Sequence, residues 1–303
     1  MRSFCYRYLY GFSDKEEFSI LANEKLMEAA RLVKESLKAG KKMEEPDYTA
    51  SIVVKFPALM SYYWSGAQFG GCFIHQRPYV HFERNGKIEG CEIGDLLVLC
   101  KKAVSGKASY NAALLQLKMA HAPLGKIMKP DNMAQYVLYT EWPKFSFGKK
   151  YSAIASFDVL PKVATLGAQY MFVNEYTCCL YTHATPKGIM INDVNFDFGT
   201  FLYDFIHWQN GRPICGENEP NMDDWSKAIW EIVARTRNTI FKRTNANITN
   251  EARQKGDFFH FITSRECLNY DVLPEKYEEE KSINREEEFA GISILFIDLD
   301  RER

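Results

Sequence analysis

Two apolar runs with polar residues set into them constrain this chain more than any other feature. LLVLC at 96–100 and AALLQLKMA at 112–120 have the length and character of buried strands, and SGKASYN between them reads as a loop. Side chains alternate across a strand, so Gln116 and Lys118 project from one face about 7 Å apart, while Leu115 and Leu117 point the other way. Leaving either polar group buried without a partner would cost roughly 2 kcal/mol or more. Asp95 opens the first run. If the two strands pair, its carboxylate converges on the amide and the ammonium at one end of the sheet.

Composition sets the frame for such a site. The chain has 303 residues, 46% of them apolar and 14% aromatic, which is ample for a packed core. The formal net charge is −1, so a polyanion would have to be met by a local basic patch rather than a global field. The N-terminal stretch MRSFCYRYLYGFSDKEEF has no unbroken apolar h-region, and no segment approaches a membrane span. The expectation is a cytoplasmic protein. Eight cysteines are scattered without a CxxC, as reduced thiols are. Cys178 and Cys179 precede His183 but lack a second ligand pair, and read as thiols on a strand.

The periodicities predict a mixed α/β or α+β chain. An amphipathic helix is expected from about Ser13 to Gly40, and helix again around 58–67. PYVHFE and KIEGCEIGDLLVLC flank the hairpin signal Asn85-Gly86. DNMAQYVLYTEW reads as a helix capped by Asp131, QYMFVN and CCLYTHA as strands. DFGTFLYDFIHW and DDWSKAIWEIVARTRNTIFKRT read as helices, GISILFIDLD as a closing strand, and the charged run 274–288 as a solvated loop or short exposed helix. The divisions expected are an N-terminal helical segment (1–45), a core (46–185) and a mostly helical extension with the closing strand (186–303), all parts of one globule.

A carboxylate and an amide oxygen suit a hard divalent ion that keeps several waters, and a neighbouring ammonium suits the charge that builds up during phosphodiester hydrolysis. An acid at the entrance of one strand followed by acid-x-Lys on the next resembles the PD-(D/E)XK nuclease superfamily. Asp95 falls on the first acid and Gln116-Leu117-Lys118 on the acid-x-Lys, in the Q-x-K form of Mrr-like restriction enzymes. Gly94 stands where a Pro is common, and the resemblance covers about residues 72 to 145. It implies a restriction-endonuclease-like core, a central mixed sheet flanked by helices. It also implies an endonuclease that cleaves DNA, or secondarily RNA, with Mg²⁺ or Mn²⁺, in a setting such as restriction or anti-phage defence.

In that reading Asp95 and Gln116 hold the metal, and Lys118 assists the water and the transition state. An acid from an earlier helix is also expected, but residues 50 to 70 contain no Asp or Glu. Glu92 takes that place if a bulge at Gly94 re-aims it, with Glu24 or Glu28 as fallback. Lys101, Lys102, Lys107, Lys126 and Lys129 are the expected phosphate contacts, provided they cluster in space. The aromatic clusters at 61–66 and 140–147 are expected to serve packing more than base stacking. The rival expectation is an inactive nuclease-like scaffold serving as a subunit of a defence complex. The expected partners are thus nucleic acid, a second copy of the chain or a defence protein, with no membrane.

Overall fold

The computed structural model describes residues 15–37, 39–74, 78–119, 126–127, 133–148, 152–174, 178–183, 189–190, 196–243, 259, 262 and 291–300. Ser13, Asp131, Lys129 and the charged run 274–288 lie outside them.

The first helix, α1 (Lys15–Ser36), places Glu16 and Glu17 in its first turn and Lys34 in its last, as the helix dipole favours. Helix follows at α2 (Glu45–Ala50), a π-helical turn at Ser51–Lys55 and α3 (Phe56–Tyr63), so the helix expected near 58–67 begins and ends earlier. Pro57 has no N–H to donate back into the turn before it. The Val53 carbonyl packs on Gly71 so closely that a Cβ there would lie 2.1 Å from its oxygen. Gly71 belongs to β1 (Gln68–Cys72), a strand that the periodicities do not predict.

The strands continue as β2 (Tyr79–Arg84), β3 (Lys87–Glu92), β4 (Leu96–Val104), β5 (Lys107–Met119) and β6 (Lys126–Ile127). Next come α4 (Met133–Glu141), β7 (Phe145–Phe147), β8 (Ser156–Phe157), β9 (Ala168–Asn174) and β10 (Cys178–His183). The chain goes on through β11 (Ile189–Met190), β12 (Phe196–Asp197), α5 (Phe198–Ile206), β13 (Arg212–Ile214), α6 (Asp224–Arg243) and β14 (Ser293–Asp298).

Two segments differ from their expected form. SGKASYN is no loop: only Ser105 and Gly106 turn, both at positive φ, and Lys107 to Asn111 already pair with β4. Positive φ at both central residues matches the twist of the flanking strands, as it does at Asn85-Gly86. Likewise KIEGCEIGDLLVLC is two strands. β3 ends at Glu92, the chain crosses at Ile93, Gly94 and Asp95, and β4 begins in a different sheet.

The larger sheet runs β1-β14-β4-β5-β9-β10-β12, with β13 beside the first half of β5. β4 and β5 are antiparallel, whereas β5 and β9 are parallel and joined by a crossover that contains α4. β14 lies between β1 and β4. A smaller sheet, β3-β2-β7-β8, was not foreseen. The protein is thus α+β, with a mixed sheet flanked by helices.

Alternation along the central strands divides the core in two. Leu96, Val98, Leu115 and Leu117 pack with α1, α3 and α5 on one face. Leu97, Leu99, Ala112 and Leu114 pack with α4, α6 and the small sheet on the other. Gln116 and Lys118 share the second face with Leu114 by strand alternation. Among the described residues no helix is long and apolar enough to cross a membrane.

Candidate active site

The β4–β5 ladder places Leu96 opposite Leu115, so the next step of the register sets Asp95 against Gln116. Asp95 N donates to the Leu115 carbonyl at 2.9 Å, which ties the entry of β4 to β5. The Asp95 carboxylate accepts at Oδ2 from Leu117 N at 2.7 Å and from the Gln116 side-chain amide. The convergence that the sequence implied for Asp95 and Gln116 is present.

Its polarity differs from the expectation. Gln116 turns Nε2, not Oε1, toward Asp95, and its Oε1 accepts from Nε2 of Gln135 on α4. Gln135 Nε2 also donates to the Glu92 carbonyl at 2.9 Å, and a carbonyl can only accept. That bond fixes which end of Gln135 is nitrogen and, through it, which end of Gln116 is oxygen. With Gln116 only 1% exposed, the string from Glu92 through Gln135 and Gln116 to Asp95 satisfies an otherwise costly buried amide. Gln116, expected as a metal ligand, here donates to the Asp95 carboxylate and holds it in place.

Glu92 closes β3 and sits opposite Tyr79. No bulge re-aims it; the crossover between sheets brings its charge within reach of Asp95. Two residues of α4, one turn apart, fasten that crossover. Gln135 holds the carbonyl of Glu92, and the Tyr139 hydroxyl donates to that of Ile93 at 2.7 Å. A Cβ at Gly94 would stand 3.2 Å from the Tyr139 hydroxyl and 3.3 Å from the Leu115 carbonyl, so the close passage favours glycine.

Residues 50 to 70 bring no acid to this end of the sheet, but Glu45, at the start of α2 and five residues before them, does reach it. Its Oε1 accepts from Met119 N at 3.0 Å at the end of β5, and its charge also acts on Asp95. Glu24 and Glu28 lie on α1, and neither is among the charges that move Asp95. Glu45 was legible as an acid beside Pro46 in the first turn of a helix, and Gln135 as an amide one turn from Tyr139 within the mostly apolar MAQYVLYTE.

Burial pushes the Asp95 carboxyl up to about 7; the Lys118 ammonium opposes this, Glu92 adds to it, the Leu117 N–H opposes it and Glu45 adds to it. A folded value above the unfolded one means that the native state holds this proton more tightly. The contribution of Asp95 to stability is then greatest below about pH 4 and is lost as pH rises through about 7. Without divalent ions, Asp95→Asn is expected to gain on the parent between pH 5 and pH 8, by up to about 1.4 kcal/mol per unit crossed. Denaturant unfolding of both proteins at the two pH values measures it; a difference that ignores pH would remove the assignment.

Three of the expected phosphate contacts, Lys101, Lys102 and Lys107, are not gathered here. Lys101 lies six residues along β4 from Asp95, about 20 Å at strand rise, and pairs with Asp298 and Asp300 at 3.2 and 3.3 Å. Lys102 lies 5.9 Å from the centre of the Trp208 ring, and Lys107, farther still, pairs with Glu219 at 3.5 Å. These three belong to the opposite end of the hairpin. Lys126 is in β6, which pairs with β11, and Lys129 lies outside the described residues. Of the aromatic clusters, Trp64, Trp142 and Phe145 are core, while Tyr62 is 82% exposed.

Carboxylates are the ligands a hard divalent cation takes, and after burial itself the negative charges that raise the Asp95 carboxyl are those of Glu92 and Glu45. Among the described residues no three His, Cys, Asp or Glu side chains come together as a closed metal cage. Mg²⁺ needs none, since one or two carboxylates with waters and phosphate oxygens complete its shell. No family model matches the chain, and no curated protein or solved structure shows significant similarity to it.

Proposed function

We propose that this chain is a divalent-metal-dependent nuclease that hydrolyses phosphodiester bonds of DNA on a restriction-endonuclease-like core. The supporting observation is the meeting of Asp95, Gln116 and the Lys118 charge at one end of the sheet. The element order agrees: an acid at the entry of one strand, Gln-x-Lys on the next, a crossover helix, then a parallel strand. An acid from an earlier helix reaches the same end.

Asp95 and Glu45 would hold Mg²⁺ or Mn²⁺, with Glu92 adding negative charge. Gln116, itself oriented by Gln135, keeps the Asp95 carboxylate from turning. Lys118 Nζ would donate to the attacking water or to a phosphoryl oxygen. When bound, the ion supplies a more acidic water and neutralises charge developing on the phosphorus oxygens. Activity across plasmid, linear and single-stranded DNA with Mg²⁺, Mn²⁺ or chelator tests the reading. The parent should cut only with metal, Asp95→Asn at least about a hundredfold more slowly, and Glu45→Gln about tenfold more slowly. Metal-independent cutting, or an unimpaired Asp95→Asn, would sink it.

A second reading, a non-catalytic scaffold within a larger assembly, is favoured by two observations. Gln116 offers nitrogen rather than oxygen to Asp95, and Lys101 and Lys107 are engaged with acids. Absence of cleavage under every condition above, with a normally folded protein, would select it.

A further inference from the structure

We propose that the outer face of the β2–β3 hairpin is a stacking platform for one or two unpaired bases of the DNA strand being cut; this rests on the nuclease reading above. Tyr79 stands directly opposite Glu92 in the hairpin register, so the two side chains project from the same face. Glu92 ends β3 three residues before Asp95 at the entry of β4, which sets Tyr79 at the margin of the candidate site. The backbone ties this margin down: Ile93 N donates to the Pro78 carbonyl at 2.9 Å, next to Tyr79 and two residues from Asp95.

Tyr79 is 45% exposed, although Val80 and Phe82 beside it on the other face of β2 are fully buried. A strand with one face in the core has left an aromatic ring in solvent beside a candidate catalytic centre. His81, the next residue on that face, is half-buried beside the fully buried Ser146 of β7, and its ring centre lies 6.3 Å from that of Tyr79 with planes 37° apart. Gly90 lies opposite His81, and a Cβ there would meet the ring at 2.8 Å. The imidazole therefore lies against bare backbone, and no side chain from β3 stands beside it at that position.

Two adjacent rings leading away from an acid site suit bases better than phosphates. Every base has a π-face, so stacking tolerates any sequence, but in a duplex those faces are already covered. Glu83 follows on the same face and is exposed, which repels the phosphate backbone and limits the platform to one or two bases. The occupant is thus the unpaired nucleotide beside the scissile phosphate, in a single strand or a frayed end.

Kinetics on a single-stranded oligonucleotide and on a blunt duplex, with the parent, Tyr79→Ala, Tyr79→Phe and Tyr79→Trp, test the proposal. Tyr79→Ala should raise KM for the single strand about tenfold, the loss of one stacked base. Its kcat should stay within about twofold, and its duplex KM should move less. Phe and Trp should restore binding. An unchanged single-strand KM in Tyr79→Ala, or equal rises for both substrates, would overturn the platform while leaving the nuclease intact. Oligonucleotide anisotropy separates the opposite failure. A parent that binds single strands through Tyr79 but never cuts keeps the platform and removes the nuclease, and a parent that binds no oligonucleotide removes both.

Discussion

Lys118→Met is expected to lower turnover by at least about a hundredfold, the scale of losing one electrostatic stabiliser of a developing charge. Substrate affinity should barely change, because the ammonium would act mainly in the transition state. Met keeps the length of the side chain at a half-buried position and removes a charge whose desolvation is costly, so folding should be preserved. A readout independent of cleavage accompanies this. Lys118 opposes the rise of the Asp95 carboxyl, so Lys118→Met should carry that group above about 7. Thermal midpoint, DNA binding at fixed salt, cleavage and the Asp95 titration, compared among the parent, Lys118→Met and Asp95→Asn, decide the matter. Unchanged cleavage in either variant would refute the assignment. Lost folding in both would leave Lys118 a structural residue.

Gln116→Glu and Gln116→Leu should move in opposite directions. Glu places a second carboxylate against Asp95 where an amide donor now sits, and its oxygen still meets the Gln135 donor. Without metal, the like charges push the Asp95 carboxyl higher and lower the melting temperature at neutral pH. Mg²⁺ should reverse this by about 3 °C or more, roughly 1 kcal/mol for a domain of this size, and cleavage should be retained or rise. Leu removes the hydrogen bond to Asp95 and leaves the Gln135 donor one acceptor short. Its cleavage should fall at least about tenfold, with a lower melting temperature that Mg²⁺ does not recover. A Leu variant that folds and cuts like the parent would show that Gln116 only fills a strand. A Glu variant indifferent to Mg²⁺ would show that no ion binds beside it.

The sequence by itself determined the central hairpin and the convergence of its polar residues. Apolar runs of strand length have to be buried, alternation sets Gln116 and Lys118 on one face, and pairing brings Asp95 to them. These are local rules acting along one strand or between neighbours, which is why they are legible without coordinates. They also fixed α1, α4, α5 and α6 to within a few residues.

Only the tertiary structure decided what lies across sequence distance. Glu45 meets Met119 through the packing of α2 at the end of β5, a contact 74 residues apart. The split of β3 from β4 depends on a second sheet forming over α4 and α6, and no periodicity within the run 87–100 marks it. The orientation of the Gln116 amide follows from Gln135 and a backbone carbonyl at Glu92, each contributed by a different element. Residue type tells that an amide can ligate through oxygen or donate through nitrogen. Which end faces Asp95 is set by the partners that burial leaves available, and Lys101 and Lys107 are likewise claimed by acids brought to them by β14 and by the 214–224 connection.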